Sequence, residues 1–167
     1  MATATDTDPV FTVTRTFNAP RALVWKAFTE AERLAAWFGP KGMPIERCTL
    51  DLTPGGLFHY SMKTPGGLWW GRWRFEEVTA PERLVFVSSF SDEDGGVTKA
   101  PFPGDFPKEV RSIIEFIDEG DRTTLSMRGT PVDGTPAERA FFEGMFASMN
   151  QGWGGTFEQL EQYLAGA

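Results

Sequence analysis

Thr135-Pro136-Ala137-Glu138-Arg139-Ala140-Phe141-Phe142-Glu143-Gly144-Met145-Phe146 opens the stretch, running on to Leu164, around which the rest of the chain is organised. Thr135 is placed to cap the first free amides, Pro136 suits the first helical position, and Glu138 can reach back as the partner in a capping box. Apolar residues then recur at helical spacing: Phe141, Phe142, Met145, Phe146 and Met149, followed by Trp153, Phe157, Leu160 and Leu164. This i, i+3, i+4, i+7 stripe predicts one long helix with a broad apolar face. Gly152, Gly154 and Gly155 predict a bend or a close backbone approach within it. The stripe reads either as a core-packing face or as the lid of an internal cavity, and periodicity alone favours the core.

Upstream, the sequence supplies something for that helix to cover. Residues 10–17 alternate as a strand, and Asn18-Ala19-Pro20 then starts a short helix carrying Leu23, Val24, Ala27 and Phe28. Thr29-Glu30-Ala31-Glu32 has the form of a second capping box, opening a helix with Leu34, Trp37 and Phe38 that stops at Gly39-Pro40. A meander follows. Strands are expected over residues 43–52, 57–63, 68–78, 84–90, 109–118 and 122–129, separated by Gly- and Pro-rich turns. Phe58, Tyr60 and Met62 share one face of their strand, as do Trp69, Gly71, Trp73 and Phe75 of the next, against charged residues behind. Gly71 predicts a bulge or bend there. Residues 91–108 read as the longest irregular piece, a solvated loop or a flap over a cavity mouth. The layout is α+β: strand, two short helices, about six antiparallel strands, then a long helix, with the sheet curved around that helix.

Composition bounds the function. The chain's 167 residues make one domain, with residues 1–9 expected to be flexible. A net charge of -7 argues against nucleic acid or an anionic membrane as partner. No apolar run is long enough to span a bilayer and the N-terminus has no signal-peptide core, so a cytoplasmic protein is the default reading. Cys48 excludes an internal disulfide and reads as a small buried strand residue. Fifteen phenylalanines and six tryptophans against two tyrosines suit a dry core or an apolar pocket.

Several motifs together resemble a known family. They are Arg15-Thr16-Phe17-Asn18-Ala19-Pro20 with Val24-Trp25-Lys26-Ala27-Phe28-Thr29, Trp37-Phe38-Gly39-Pro40, and Asp51-Leu52-Thr53-Pro54-Gly55-Gly56. To these add residues 71–77, Pro81-Glu82-Arg83-Leu84-Val85-Phe86, and Gly152-Trp153 with Leu160. In this order, from about Phe11 to Leu164, they resemble the SRPBCC (START/Bet v-type) superfamily, and within it the family named after the activator of the heat-shock-protein-90 ATPase. The resemblance implies a helix-grip fold: a curved antiparallel sheet of about seven strands wrapped around a long C-terminal helix, with an apolar cavity between them. Superfamily relatives bind lipids, hormones or polyketides, and some catalyse cyclisation or hydration. Co-chaperone relatives carry an additional amino-terminal domain that is not read before Phe11, so a chaperone partner is not expected.

No catalytic constellation emerges. The single histidine, His59, alternates away from Phe58 and Tyr60, and one His with one Cys builds no usual zinc site, so neither metal nor cofactor is expected. Asp51 and Glu115 are placed on strands as the carboxylates to consider, with Glu115 facing solvent by alternation; Ser112 and Thr123 are minor hydroxyl candidates. The preferred reading is a binding protein for a small apolar or amphipathic molecule. Its site would set Phe58, Tyr60, Trp69, Trp73, Phe75 and Phe116 of the sheet against Phe142, Met145, Phe146, Met149 and Trp153 of the helix. Trp37 and Phe38 would close one end, and Tyr60 would orient the ligand. The alternatives are a cyclase- or hydratase-like enzyme on the same fold, or a protein-interaction module with Trp70 as its exposed anchor. A homodimer paired through an edge strand such as residues 10–17 is left open.

Overall fold

The computed structural model describes residues 9–39 and 42–166. The flexible start expected for residues 1–9 (all but Pro9) and the stop expected at Pro40 lie outside the described residues. The elements in order are β1 (Phe11–Phe17), α1 (Arg21–Thr29), α2 (Ala31–Trp37), β2 (Ile45–Leu50), β3 (Leu57–Thr64), β4 (Gly67–Thr79) and β5 (Arg83–Ser91). Then come β6 (Val97–Thr98), β7 (Val110–Asp118), β8 (Thr123–Pro131), α3 (Pro136–Gly144) and α4 (Phe146–Ala165). The strands form one open antiparallel sheet in the order β1-β8-β7-β5-β4-β3-β2, with β6 paired to the end of β5. This is the expected helix-grip architecture, with the small β6 hairpin arising inside the segment read as irregular.

Alternation decides which face is covered. On β7, Val110, Ser112, Ile114 and Phe116 are buried, and on β8 so are Thr123, Leu125 and Met127. The opposite face carries a chain of ion pairs across strands: Arg111 to Glu76 at 2.8 Å, and Arg83 and Arg128 to Glu115 at 2.8 and 3.6 Å. The side-chain hydrogen bonds from Arg111, with its charge in support, hold the Glu76 carboxyl below its ordinary range. A lowered carboxyl stabilises the fold above its unfolded pKa and loses that contribution as pH falls through the folded value. Both partners are partly exposed, so Glu76→Gln is expected to cost no more than about 1 kcal/mol at neutral pH. The gap to wild type in urea melts should close as pH falls below the ordinary glutamate range.

Four local expectations are corrected. The closing helix is two helices. The capping box forms at Thr135, with its hydroxyl accepting from the Glu138 amide and Glu138 accepting from the Thr135 amide. The chain then breaks at Met145 (φ -96°, ψ 2°), not at the glycines downstream. The Met145 amide still reaches the Phe142 carbonyl, and Met149 bonds back to Met145, so the backbone stays paired through the break. Gly152, Gly154 and Gly155 lie within continuous helix, and a Cβ on any of them would meet nothing within 4 Å. Secondly, Thr29 does not cap α2: its hydroxyl donates to the Trp25 carbonyl at 2.7 Å, closing α1 from within. Thirdly, the bulge in β4 falls between Phe75 and Glu77, whereas Gly71 pairs in register with Tyr60. Finally, Asp51 lies just beyond β2, exposed in a turn where it accepts from the Thr53 hydroxyl.

Candidate functional site: an apolar cavity under the closing helices

The aromatic face of the sheet and the stripe of α3–α4 do not fill the space between them. A cavity of about 220 Å³ remains, walled by Tyr60, Trp73 and residues 88–90 from β3–β5, by Val110, Ser112, Met127 and Gly129 from β7–β8, and by Phe11. Phe38, Phe106, Phe142, Met149 and Trp153 cover it. A second chamber of about 340 Å³ shares Phe38, Phe90, Phe106, Met149 and Trp153 with the first, and extends past Met62, Phe102, Met145 and Gly152.

Aromatic contacts set this wall. Trp73 stacks on Phe86 at 4.1 Å, and the Phe38 ring stands edge-on to Phe58, Tyr60 and Trp73 at 5.8, 5.3 and 5.1 Å. Phe38 also meets Trp153 of α4 at 6.1 Å, so the end of α2 closes one side. That corner is fastened by α4: Gln159 Nε2 donates to the Gly39 carbonyl at 2.6 Å and Thr156 Oγ1 to the same oxygen at 3.1 Å. Gly39 adopts φ +114°, and a Cβ there would stand 2.9 Å from the Met43 carbonyl, so this corner requires glycine.

The segment between β6 and β7 covers the mouth. Phe106 packs against Phe90, Phe102, Phe141 and Phe142, with ring centroids 5.7 to 6.5 Å apart. Gly104, at φ +118°, lets the Phe141 ring press directly on the backbone, where a Cβ would overlap the ring. These contacts seat Phe102 and Phe106 against the closing helices and the end of β5.

Of the residues expected to form the site, Phe38, Tyr60, Trp73, Phe142, Met149 and Trp153 line the inner cavity, and Met145 lines the mouth chamber. Trp37, Phe58, Phe75 and Phe116 are fully buried behind the wall; Phe116 packs under α1 against Trp25 and Phe28. Phe146 bridges Phe11 and Phe142, and Trp69 braces Phe90 and Phe102. The residues not foreseen are Phe11, Phe90, Phe106, Val110, Met127 and Gly129, together with Ser88 and Ser89. The register of β5 held the signal, since Ser88 pairs with Trp73 and Phe90 with Gly71, both on the inner face of β4.

The wall chemistry is neutral. Neither chamber is lined by a carboxylate, imidazole, amine, guanidinium or thiol among the described residues. Glu115 is on the outer face in ion pairs, and His59 Nε2 donates to the Asp92 carbonyl while its ring stacks on Trp70. Cys48 is half-buried on β2, and burial pushes its thiol up. Thr123 donates to the Ala19 carbonyl and so serves the fold. Tyr60 is buried, and desolvation pushes its phenol far above the ordinary tyrosine value, which keeps it protonated. The Tyr60 ring is seated by Gly71 opposite: a Cβ on Gly71 would lie 2.5 Å from the hydroxyl oxygen and 2.6 Å from Cζ. Gly71→Ala is therefore expected to displace the ring and to cost about 1–3 kcal/mol in a denaturant melt. Adding Tyr60→Phe should recover part of that loss, because the ring carbon still clashes.

The family model described as Activator of Hsp90 ATPase homolog 1-like protein matches residues 18–165. Among solved structures, a protein from Nitrosomonas europaea is 30% identical, with a TM-score of 0.74 over 93% of this chain and 94% of its own. A protein from Arthrobacter aurescens superposes with a TM-score of 0.76 at 24% identity, over 95% of this chain and 87% of its own. A Silicibacter pomeroyi protein bearing the family's name does so with a TM-score of 0.71 at 17% identity, over 94% and 98%. These last two share the fold. No curated protein matches the chain. No helix among the described residues is long and apolar enough to cross a membrane.

Proposed function

The chain belongs to the Activator of Hsp90 ATPase homolog 1-like family, and from that premise we propose that it binds a small, largely apolar molecule between its sheet and its closing helices. The observation that carries this reading is the unfilled, aromatic-walled cavity of about 220 Å³. Protein interiors are otherwise close-packed, and an apolar cavity of about 150 Å³ already takes up benzene. Phe38, Trp73, Phe142 and Trp153 supply contact area, and Tyr60 supplies a polar anchor. The segment carrying Phe102 and Phe106 gates access from the mouth chamber.

The test is native against denaturing mass spectrometry of the freshly purified protein, and of protein incubated with small aromatics and fatty alcohols. An added mass that leaves on unfolding is expected. A bare mass under every condition would contradict the reading and make the aromatic wall simply core.

A further inference from the structure

We propose that the cavity selects an uncharged molecule bearing a hydrogen-bond-accepting oxygen, and that the Tyr60 hydroxyl takes that oxygen; this rests on the binding reading above and narrows its ligand class.

Three observations carry it. First, Tyr60 lines the cavity, and its hydroxyl has no hydrogen-bond partner among the described residues. A donor that faces an apolar wall without a protein partner is free to take a ligand oxygen. Glycine at position 71 allows the ring to lie across β4, so the hydroxyl is carried from β3 towards the middle of the floor. Because burial keeps the phenol protonated, it offers a proton to an acceptor.

Second, a further hydroxyl stands apart from Tyr60. Ser112 on β7 is buried, lines the cavity, lies beside Gly129, and has no hydrogen-bond partner among the described residues. Ser88 differs, since its hydroxyl donates to the Val110 carbonyl at 3.3 Å. The floor therefore offers separate hydroxyls, Tyr60 on β3 and Ser112 on β7, with β4 and β5 between those strands.

Third, both chambers lack a charged wall residue among the described residues, and the chain carries a net charge of -7. An ionised ligand would be stripped of water with no counter-charge to meet it.

A matched series tests this by calorimetry at neutral pH: tetralin, α-tetralone and the corresponding tetralin carboxylate. Two fused rings suit a cavity about half again as large as one that holds benzene. α-Tetralone should bind about fivefold more tightly than tetralin, and the carboxylate at least about tenfold more weakly. Tyr60→Phe, which keeps the ring packed on Phe38 and Phe58, should erase the tetralone advantage and leave tetralin within about twofold. Ser112→Ala should preserve the advantage. Equal binding of tetralin and tetralone by wild type would overturn the proposal. So would carboxylate binding as tight as that of tetralin, an advantage that survives Tyr60→Phe, or one that is lost in Ser112→Ala. If none of the three binds, the cavity reading itself fails and takes this one with it; binding without discrimination removes this one alone.

Discussion

Met149→Trp is expected to abolish uptake of tetralin while leaving the fold standing. Met149, like Trp153 one turn further along α4, walls both chambers, and it lies about two turns after Phe142. An indole in its place would occupy the space a ligand needs. The expected loss is at least about a hundredfold in affinity, which removes most of what a small apolar molecule can gain. Stability should move little, because the added atoms enter existing space; filling a cavity commonly raises stability by about 0.5–2 kcal/mol, and overpacking costs about 1–3 kcal/mol. Met145→Trp is the companion variant. Met145 touches the mouth chamber and not the inner one, so it should slow association more than it weakens binding. Calorimetry gives the affinities, stopped-flow fluorescence the rates and urea melts the stability. An unchanged tetralin affinity in Met149→Trp would place the ligand elsewhere.

Trp37→Ala is expected to cost about 3–5 kcal/mol of stability, the range for emptying a large aromatic site. Trp37 is 2% exposed. Its ring lies 4.8 Å from Phe28 and 5.8 Å from Phe38, and its Nε1 donates to the Ala27 carbonyl at 2.9 Å. Its own carbonyl accepts from Gln159, so one residue joins α1, α2 and α4. Trp37→Phe keeps most of the packing and loses the donor, for an expected cost of about 1–3 kcal/mol. The Phe variant should bind tetralin as wild type does, because Trp37 lies behind the wall. Urea unfolding gives both numbers. A cost below about 1 kcal/mol for Trp37→Ala would show that the α1–α2 corner is not the buried brace described above.

The architecture was legible because each element is written in a local code. Phe58, Tyr60 and Met62 alternate, the stripe from Phe141 to Leu164 repeats at helical spacing, and Thr135 with Glu138 forms the cap it spells. The break at Met145 was not legible. Phe142 and Phe146 keep helical spacing across it, and their rings meet at 5.5 Å, so the stripe looks continuous although the backbone is not. The glycines at 152, 154 and 155 signalled a bend or a close backbone approach, but α4 runs through them and a Cβ on any of them would meet nothing within 4 Å. Only Gly152 has a further role, in the wall of the mouth chamber.

Which aromatics would face empty space was legible in part. Alternation placed Tyr60, Trp73 and Phe75 on one face, yet Trp73 meets the cavity and Phe75 is sealed beneath Phe86 and Trp73. That difference lies in how neighbouring rings interlock, which periodicity does not encode. The β5 residues were missed because Leu84-Val85-Phe86-Val87 is apolar on both faces and hides the period of two. Gly71 was read as a bend, when its part is to make room for the ring across the strand. That pairing depends on register, and register emerges only in the assembled sheet.

The central claim is that a small apolar molecule enters this cavity, and the methionine methyl groups report on it directly. Met127 and Met149 line the inner cavity, Met62 and Met145 line the mouth chamber, and Met43 lines neither. In a spectrum of methyl-labelled methionines titrated with tetralin, Met127 and Met149 should shift most, Met62 and Met145 less, and Met43 should stay in place. Shifts confined to Met43, or no shift at saturating tetralin, would contradict the account.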